Sequence, residues 1–146
     1  MVDMLQSESA NIALAIGRLL EEHRGADVIV MDMRNLNFWT DFFVITTVMS
    51  STHLAGLDKH IKDFTKDRGI EILRRSKKPT ANAGINAKGA FFSESGSEEW
   101  SVIDLGDIVI HLMSSGSRSF FELERLWSAA VIMYQSENSL TKKPLA

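Results

Sequence analysis

The sequence predicts an α/β fold, an α+β mixed sheet flanked by helices. Three observations carry this. Apolar runs rich in β-branched and aromatic residues fall at Val28-Ile29-Val30-Met31, Phe42 to Val48, Trp100 to Asp104 and Ile108 to Leu112. Between them lie stretches whose apolar residues recur every three to four positions. Leu105-Gly106-Asp107 separates the last two runs, and Gly106 can take positive φ at little cost, which suits a tight hairpin.

In chain order, Ile12, Ile16, Leu19 and Leu20 mark an amphipathic helix over Ile12 to Glu22, started by Ser7 or Ser9 and stopped near Gly25. Val28 to Asp32 is apolar on both faces, as expected of a central strand. Phe42 to Thr46 is the second strand. Ser50, Ser51 and Thr52 are N-cap types, and Leu54, Leu57, Ile61 and Phe64 step along one face of a helix over Leu54 to Lys66. Gly69 is placed to stop it, and Ile70 to Leu73 can form a short strand.

From Arg74 to Glu99 the character changes to a basic cluster, Arg74, Arg75, Lys77 and Lys78, followed by glycines and serines. We read residues 74–99 as a mobile surface insertion within a single domain spanning 1–146. After the hairpin, Phe120, Leu123, Trp127, Ala130 and Tyr134 form a stripe that predicts a helix over Phe120 to Tyr134, with Ser119 and Glu122 at capping-box spacing. The polar tail, 136–146, is expected to fray.

Composition limits the chemistry. The chain has 146 residues, long enough for one real core, with 45% apolar and 24% charged residues. Acidic residues number 19 and basic ones 16, for a formal net charge of −3, which disfavours a broad electrostatic nucleic-acid binder but does not exclude a basic protein partner, where opposite charge speeds encounter. No cysteine is present, so disulfides, thiolate nucleophiles and cysteine-ligated zinc are excluded. Residues 1–10 lack a positive region and an apolar core, and no apolar run approaches the roughly 20 residues of a membrane span. A cytoplasmic protein with no DNA or membrane partner is expected.

Catalytic patterns are sparse. His53 and His60 share a helix face, but no third metal ligand has obvious spacing. There is no nucleophile elbow, P-loop or dinucleotide-binding glycine pattern. One enzyme reading stands as the alternative. Gly116-Ser117 precedes a helix and Asp32, Asp104 and Asp107 lie on or beside strands, which invites comparison with metal-dependent nucleotidyltransferases. Their paired acids alternate along one strand. Here Met33-Arg34 follows Asp32, and Asp104 and Asp107 straddle a turn, so that geometry is absent from the sequence.

Four blocks resemble the ribosomal silencing factor family, whose plant members are called Iojap. They are Ala26-Asp27-Val28-Ile29-Val30-Met31-Asp32-Met33-Arg34, Thr40-Asp41-Phe42-Phe43-Val44-Ile45, Ser51-Thr52-His53 opening a helix, and Trp100 to Trp127. The last is the most specific, with Trp-x-x-x-Asp-x-Gly-Asp-x-x-x-His followed by Arg-x-x-x-Glu-Leu-Glu-x-Leu-Trp. The resemblance implies a nucleotidyltransferase-like fold without catalytic acids, no enzymatic activity and no cofactor or metal. It implies binding to the large ribosomal subunit through ribosomal protein L-fourteen, which blocks joining of the small subunit and lowers translation when nutrients are scarce. On that basis Asp41, Asp104, Asp107, His111, Arg118, Glu122, Glu124 and Trp127 are the expected partner-binding residues. The basic cluster at Arg74 can touch ribosomal RNA peripherally, and a homodimer is left open.

Overall fold

A computed structural model of the chain describes residues 2–36, 40–77, 84–85, 91–92, 100–121 and 129–136. Helix α1 runs Val2–Glu22, strand β1 Ala26–Asp32, a 3-10 turn Arg34–Leu36, β2 Phe42–Val48 and α2 Ser51–Asp67. Then come β3 Arg74–Lys77, β4 Gly84–Ile85, β5 Phe91–Phe92, β6 Trp100–Asp104, β7 Ile108–Ser114, α3 Ser115–Phe121 and β8 Val131–Gln135. A six-stranded sheet has the order β3-β6-β7-β2-β1-β8, and β4 with β5 forms a separate two-stranded sheet. In the large sheet β2 and β7 are parallel, and the other neighbours are antiparallel. The expected mixed α+β architecture is therefore present.

Period-two alternation divides the core. Val28, Val30, Phe42, Val44, Ile108, Ile110 and Leu112 face a cluster completed by Ala13, Ile16 and Leu20 of α1 and Leu54, Leu57 and Ile61 of α2. Both long helices thus cover the same side. Ile29, Met31, Phe43, Ile45, Val109 and Met113 turn to the other side with Trp100 and Met33, and these residues too are buried. No helix among the described residues is long and apolar enough to cross a membrane.

Local chemistry sets the boundaries. The side chain of Ser50 accepts the His53 N–H at 3.0 Å and caps α2. At the other end Gly69 takes φ 66, with Gly69 N–H donating to Lys66 O and Ile70 N–H to Thr65 O. That pattern closes the helix as a Schellman turn. The same motif ends α1, where Arg24 (φ 72) takes the left-handed position expected at Gly25 and Gly25 N–H reaches Leu20 O at 2.7 Å. Gly25 is needed for space, because a methyl group there would lie 2.5 Å from Thr46 Oγ1. Gly17 plays a similar part where α1 crosses β1, since a methyl group there would come within 2.7 Å of Val30 Cγ2.

Five expectations are corrected. Helix α1 begins at Val2, ahead of Ser7 and Ser9. The anticipated strand at Ile70 to Leu73 lies further on, at Arg74–Lys77, and pairs with β6, so the expected insertion opens inside the large sheet. Charged residues suit such an edge strand because they discourage pairing with other chains. Helix α3 starts at Ser115, because Ser114 Oγ accepts the Ser117 N–H at 3.1 Å and supplies the cap expected from Ser119. Val131 to Tyr134, expected to continue that helix, instead lie in strand β8, Val131–Gln135, on β1. Ser136, expected in the frayed tail, is buried, its N–H bonded to Val28 O and its hydroxyl accepting from Val28 N. The remaining tail, 137–146, lies outside the described residues.

Candidate functional site

Three connections meet at one end of the large sheet: the exit from β1, the entry to β2 and the β6–β7 turn. Backbone bonds tie them together. Met33 N–H donates to Asp41 O at 2.7 Å, while Asp41 N–H and Phe42 N–H both donate to Asp107 O, at 3.0 and 2.9 Å. This brings Asp32, Asp41 and Asp107 to the same end of the sheet.

The three carboxylates are in different situations. Arg34 Nη2 bonds Asp32 Oδ2 at 2.7 Å, and Arg34 Nε bonds Asp32 Oδ1 at 2.9 Å. This fork stabilises the charged carboxylate and holds Asp32 below the usual carboxylate range, against a smaller opposing effect of burial. Asp41 is pushed the other way. Burial raises it first, then the charge of Asp107, with Arg34 partly opposing and Asp32 adding to the repulsion. Asp107 is exposed, and Oδ2 accepts the Ser9 hydroxyl at 3.3 Å. The end therefore presents negative charge that Arg34 offsets mainly at Asp32.

Asp104, His111 and Arg118 are engaged within the fold. Asp104 lies in the same β6–β7 turn, but its Oδ1 accepts Gly106 N–H at 2.8 Å and holds Gly106 at φ 95. His111 is buried mid-strand on the side away from α1 and α2, packed on Phe43 at 4.8 Å between ring centroids and accepting the Trp100 indole N–H on Nδ1. Arg118 is 4% exposed and donates to Thr47 Oγ1 at 3.1 Å, near the far end of β2. Glu122, Glu124 and Trp127 lie outside the described residues. Of the eight expected residues, the structure brings Asp41, Asp104 and Asp107 to one turn region. His111 and Arg118 can influence a partner only through the residues they hold. The sequence reading missed the Asp32–Arg34 pair and Ser9. The first had a signal in its spacing, acid and base two residues apart where a strand ends.

The acids of the enzyme alternative are also accounted for. Asp32 is engaged with Arg34, Asp104 with its own turn and Asp107 with Ser9. Among the described residues no group of three or more histidines, cysteines or carboxylates is arranged to hold a metal ion.

These features define a small α+β protein whose polar side chains largely secure its own turns and whose one sheet end is acidic. The family model described as "Ribosomal silencing factor during starvation" matches residues 6–145, and the chain belongs to that ribosomal silencing factor family. It is 30% identical over 125 residues to ribosomal silencing factor RsfS of Treponema pallidum, covering 85% of this chain and 97% of that protein. It is 26% identical over 110 residues to RsfS of Bacillus subtilis, covering 75% and 79% of the two chains. Similarity extends to the chloroplast protein Iojap of Zea mays, with 23% identity over 85% of this chain and 46% of that one. A crystal structure of a protein from Chromobacterium violaceum shares the fold with a TM-score of 0.61 at 24% identity, covering 84% and 85% of the two chains. One from Bacillus halodurans does so with a TM-score of 0.57 at 25% identity, covering 83% and 94%.

Proposed function

We propose that this protein silences ribosomes as a non-enzymatic wedge. It binds the large ribosomal subunit through ribosomal protein L-fourteen, blocks association with the small subunit, and lowers translation during slow growth or nutrient depletion. The observation that carries this reading is the family match over residues 6–145, nearly the whole chain. In this reading the protein works in the cytoplasm, and its core is nucleotidyltransferase-like without the catalytic acids.

The acidic sheet end is the part of the binding face on which we place most weight. A protein seated against RNA phosphates is generally basic. Asp41 and Asp107 would meet its lysines or arginines, setting orientation and association rate. Burial and repulsion hold Asp41 in an unfavourable state that a partner cation would relieve. Glu122, Glu124 and Trp127 are further proposed contacts whose positions lie outside the described residues, and Asp104 holds the β6–β7 turn that carries Asp107. The Arg74 cluster adds a peripheral contact to ribosomal RNA.

Pelleting with purified large subunits tests this. The wild-type protein is expected to pellet with them, and Asp41→Lys/Asp107→Lys is expected to bind at least about tenfold more weakly with a similar melting temperature. Pelleting by neither protein would contradict the function, and equal pelleting by both would move the interface away from this end.

A further inference from the structure

At the opposite end of β2 from Asp41, about 25 Å away along the strand, three histidines meet. His23 closes α1, while His53 and His60 lie on α2. With Glu22, Arg24, Gly56 and Leu57 they line an open cleft of about 220 Å³. His23 and His60 stack face to face, with ring centroids 3.6 Å apart and planes 14° apart. Parallel rings aim their lone pairs side by side, so these two cannot converge on one metal ion at the roughly 2.0–2.1 Å that imidazole ligation needs.

The bonds of His53 fix its chemical form. Met49 N–H can only donate, and it points at His53 Nδ1 at 3.0 Å. His23 O can only accept, and it lies 2.9 Å from His53 Nε2. Both bonds exist together only in the neutral ring with its proton on Nε2. A second proton, on Nδ1, would remove the acceptor and set two N–H groups against each other.

We propose that His23, His53 and His60 form an acid-released latch joining the end of α1, the β2–α2 turn and the face of α2. With its ring neutral, His53 holds Met49 N–H and His23 O together while His23 stacks on His60. When His53 takes up a second proton, on Nδ1, it releases Met49. Protonation of both stacked rings then places like charges in contact. The charged groups facing this cleft are Glu22 and Arg24 from α1, and the remaining lining residues of α2, Gly56 and Leu57, are uncharged. Glu22 and Arg24 carry opposite charges, so neither sign dominates the response. The freed turn carries Met49, which is 68% exposed. The latch does not rest on the ribosome-binding reading, and its test involves no ribosome.

The experiment is a pH titration of the full ¹⁵N-labelled chain by NMR from pH 8 to 5. At pH 8 the His53 ring is expected to show its proton on Nε2. The protection factor of the Met49 amide is expected to fall at least about fivefold in step with protonation of His53. His53→Asn keeps a carbonyl acceptor near the Nδ1 position but takes up no proton, so Met49 protection should become independent of pH. In His60→Phe the stack persists without its second charge, and the acid-linked loss of protection at His23 and Arg24 should shrink at least about twofold. A His53 proton on Nδ1 at pH 8, or Met49 protection unchanged as His53 protonates, would overturn the latch. These two readouts come from the wild-type chain and stand if a variant fails to fold.

Discussion

Trp100 donates its indole N–H to Nδ1 of His111 at 3.1 Å, linking β6 to β7 on the side of the sheet away from α1 and α2. The bond explains why a histidine occupies an otherwise apolar strand. Trp100 brings a donor into a buried layer, and the imidazole supplies an acceptor that an aliphatic residue would not. Trp100→Phe should strand that acceptor and remove packing, lowering unfolding free energy by about 2–4 kcal/mol in urea titrations. Full stability in this variant would remove His111 from the structural account.

The β6–β7 turn supplies a second test. Asp104→Ala removes the acceptor for Gly106 N–H and should cost about 1 kcal/mol. Gly106→Ala should cost about 1–2 kcal/mol, because φ 95 is strained for alanine and its methyl would sit 3.2 Å from Leu73 Cδ1. Both losses are measurable by thermal unfolding. If the turn supports Asp41 through Asp107 O, both variants should also weaken large-subunit binding, and unchanged binding would separate turn from interface.

Asp41 and Asp32 should respond to acid in opposite directions. Asp41 is raised above the ordinary 3.8, so its contribution favours folding below that value and is lost as pH rises through the raised value. Asp41→Asn should therefore stabilise the isolated protein near pH 7, by no more than about 1 kcal/mol, with the gain fading on acidification. Asp32 is lowered from 3.8, so its contribution is present above 3.8 and lost as pH falls below it. Arg34→Ala should return Asp32 toward the ordinary value in an NMR titration. An unchanged Asp32 titration would show that the guanidinium is not its cause.

Gly17→Ala tests how closely α1 seats on the sheet. Its methyl would approach Val30 Cγ2 to 2.7 Å, closer than carbon atoms pack, and the helix or Val30 must shift. The expected loss is about 1–3 kcal/mol, despite alanine's better helix propensity. A gain in melting temperature would mean that the contact relaxes freely.

Strands β1, β2, β6 and β7 were legible because each combines β-branched or aromatic residues with burial on both faces. Helix α2 was legible from its stripe, its serine cap and Gly69. Strand β8 was not, for a physical reason. Val30 pairs with Tyr134 and Met31 with Ile132, so Met133 is an extra residue that breaks the period-two signature. What remained, with Phe120 upstream, fell by coincidence into helical spacing. The hydroxyl of Tyr134 instead bonds Glu21 of α1. Strand β3 was hidden because its edge position is compatible with the charges that made it read as loop. Within the candidate site, Asp41 and Asp107 were identifiable as acids near turns. They were expected on one face, but the backbone bond across the β2–β7 pairing that joins them is encoded by no local pattern.

The proposed block of subunit joining can be read directly on purified ribosomal subunits. The most direct measurement mixes purified large and small subunits at a magnesium concentration that favours joining, with and without the protein, and resolves them on a sucrose gradient. The joined peak is expected to fall as protein is added, free subunits to rise in step, and the protein to migrate with the large subunit. An unchanged joined peak at saturating protein, or migration of the protein with the small subunit, would contradict it.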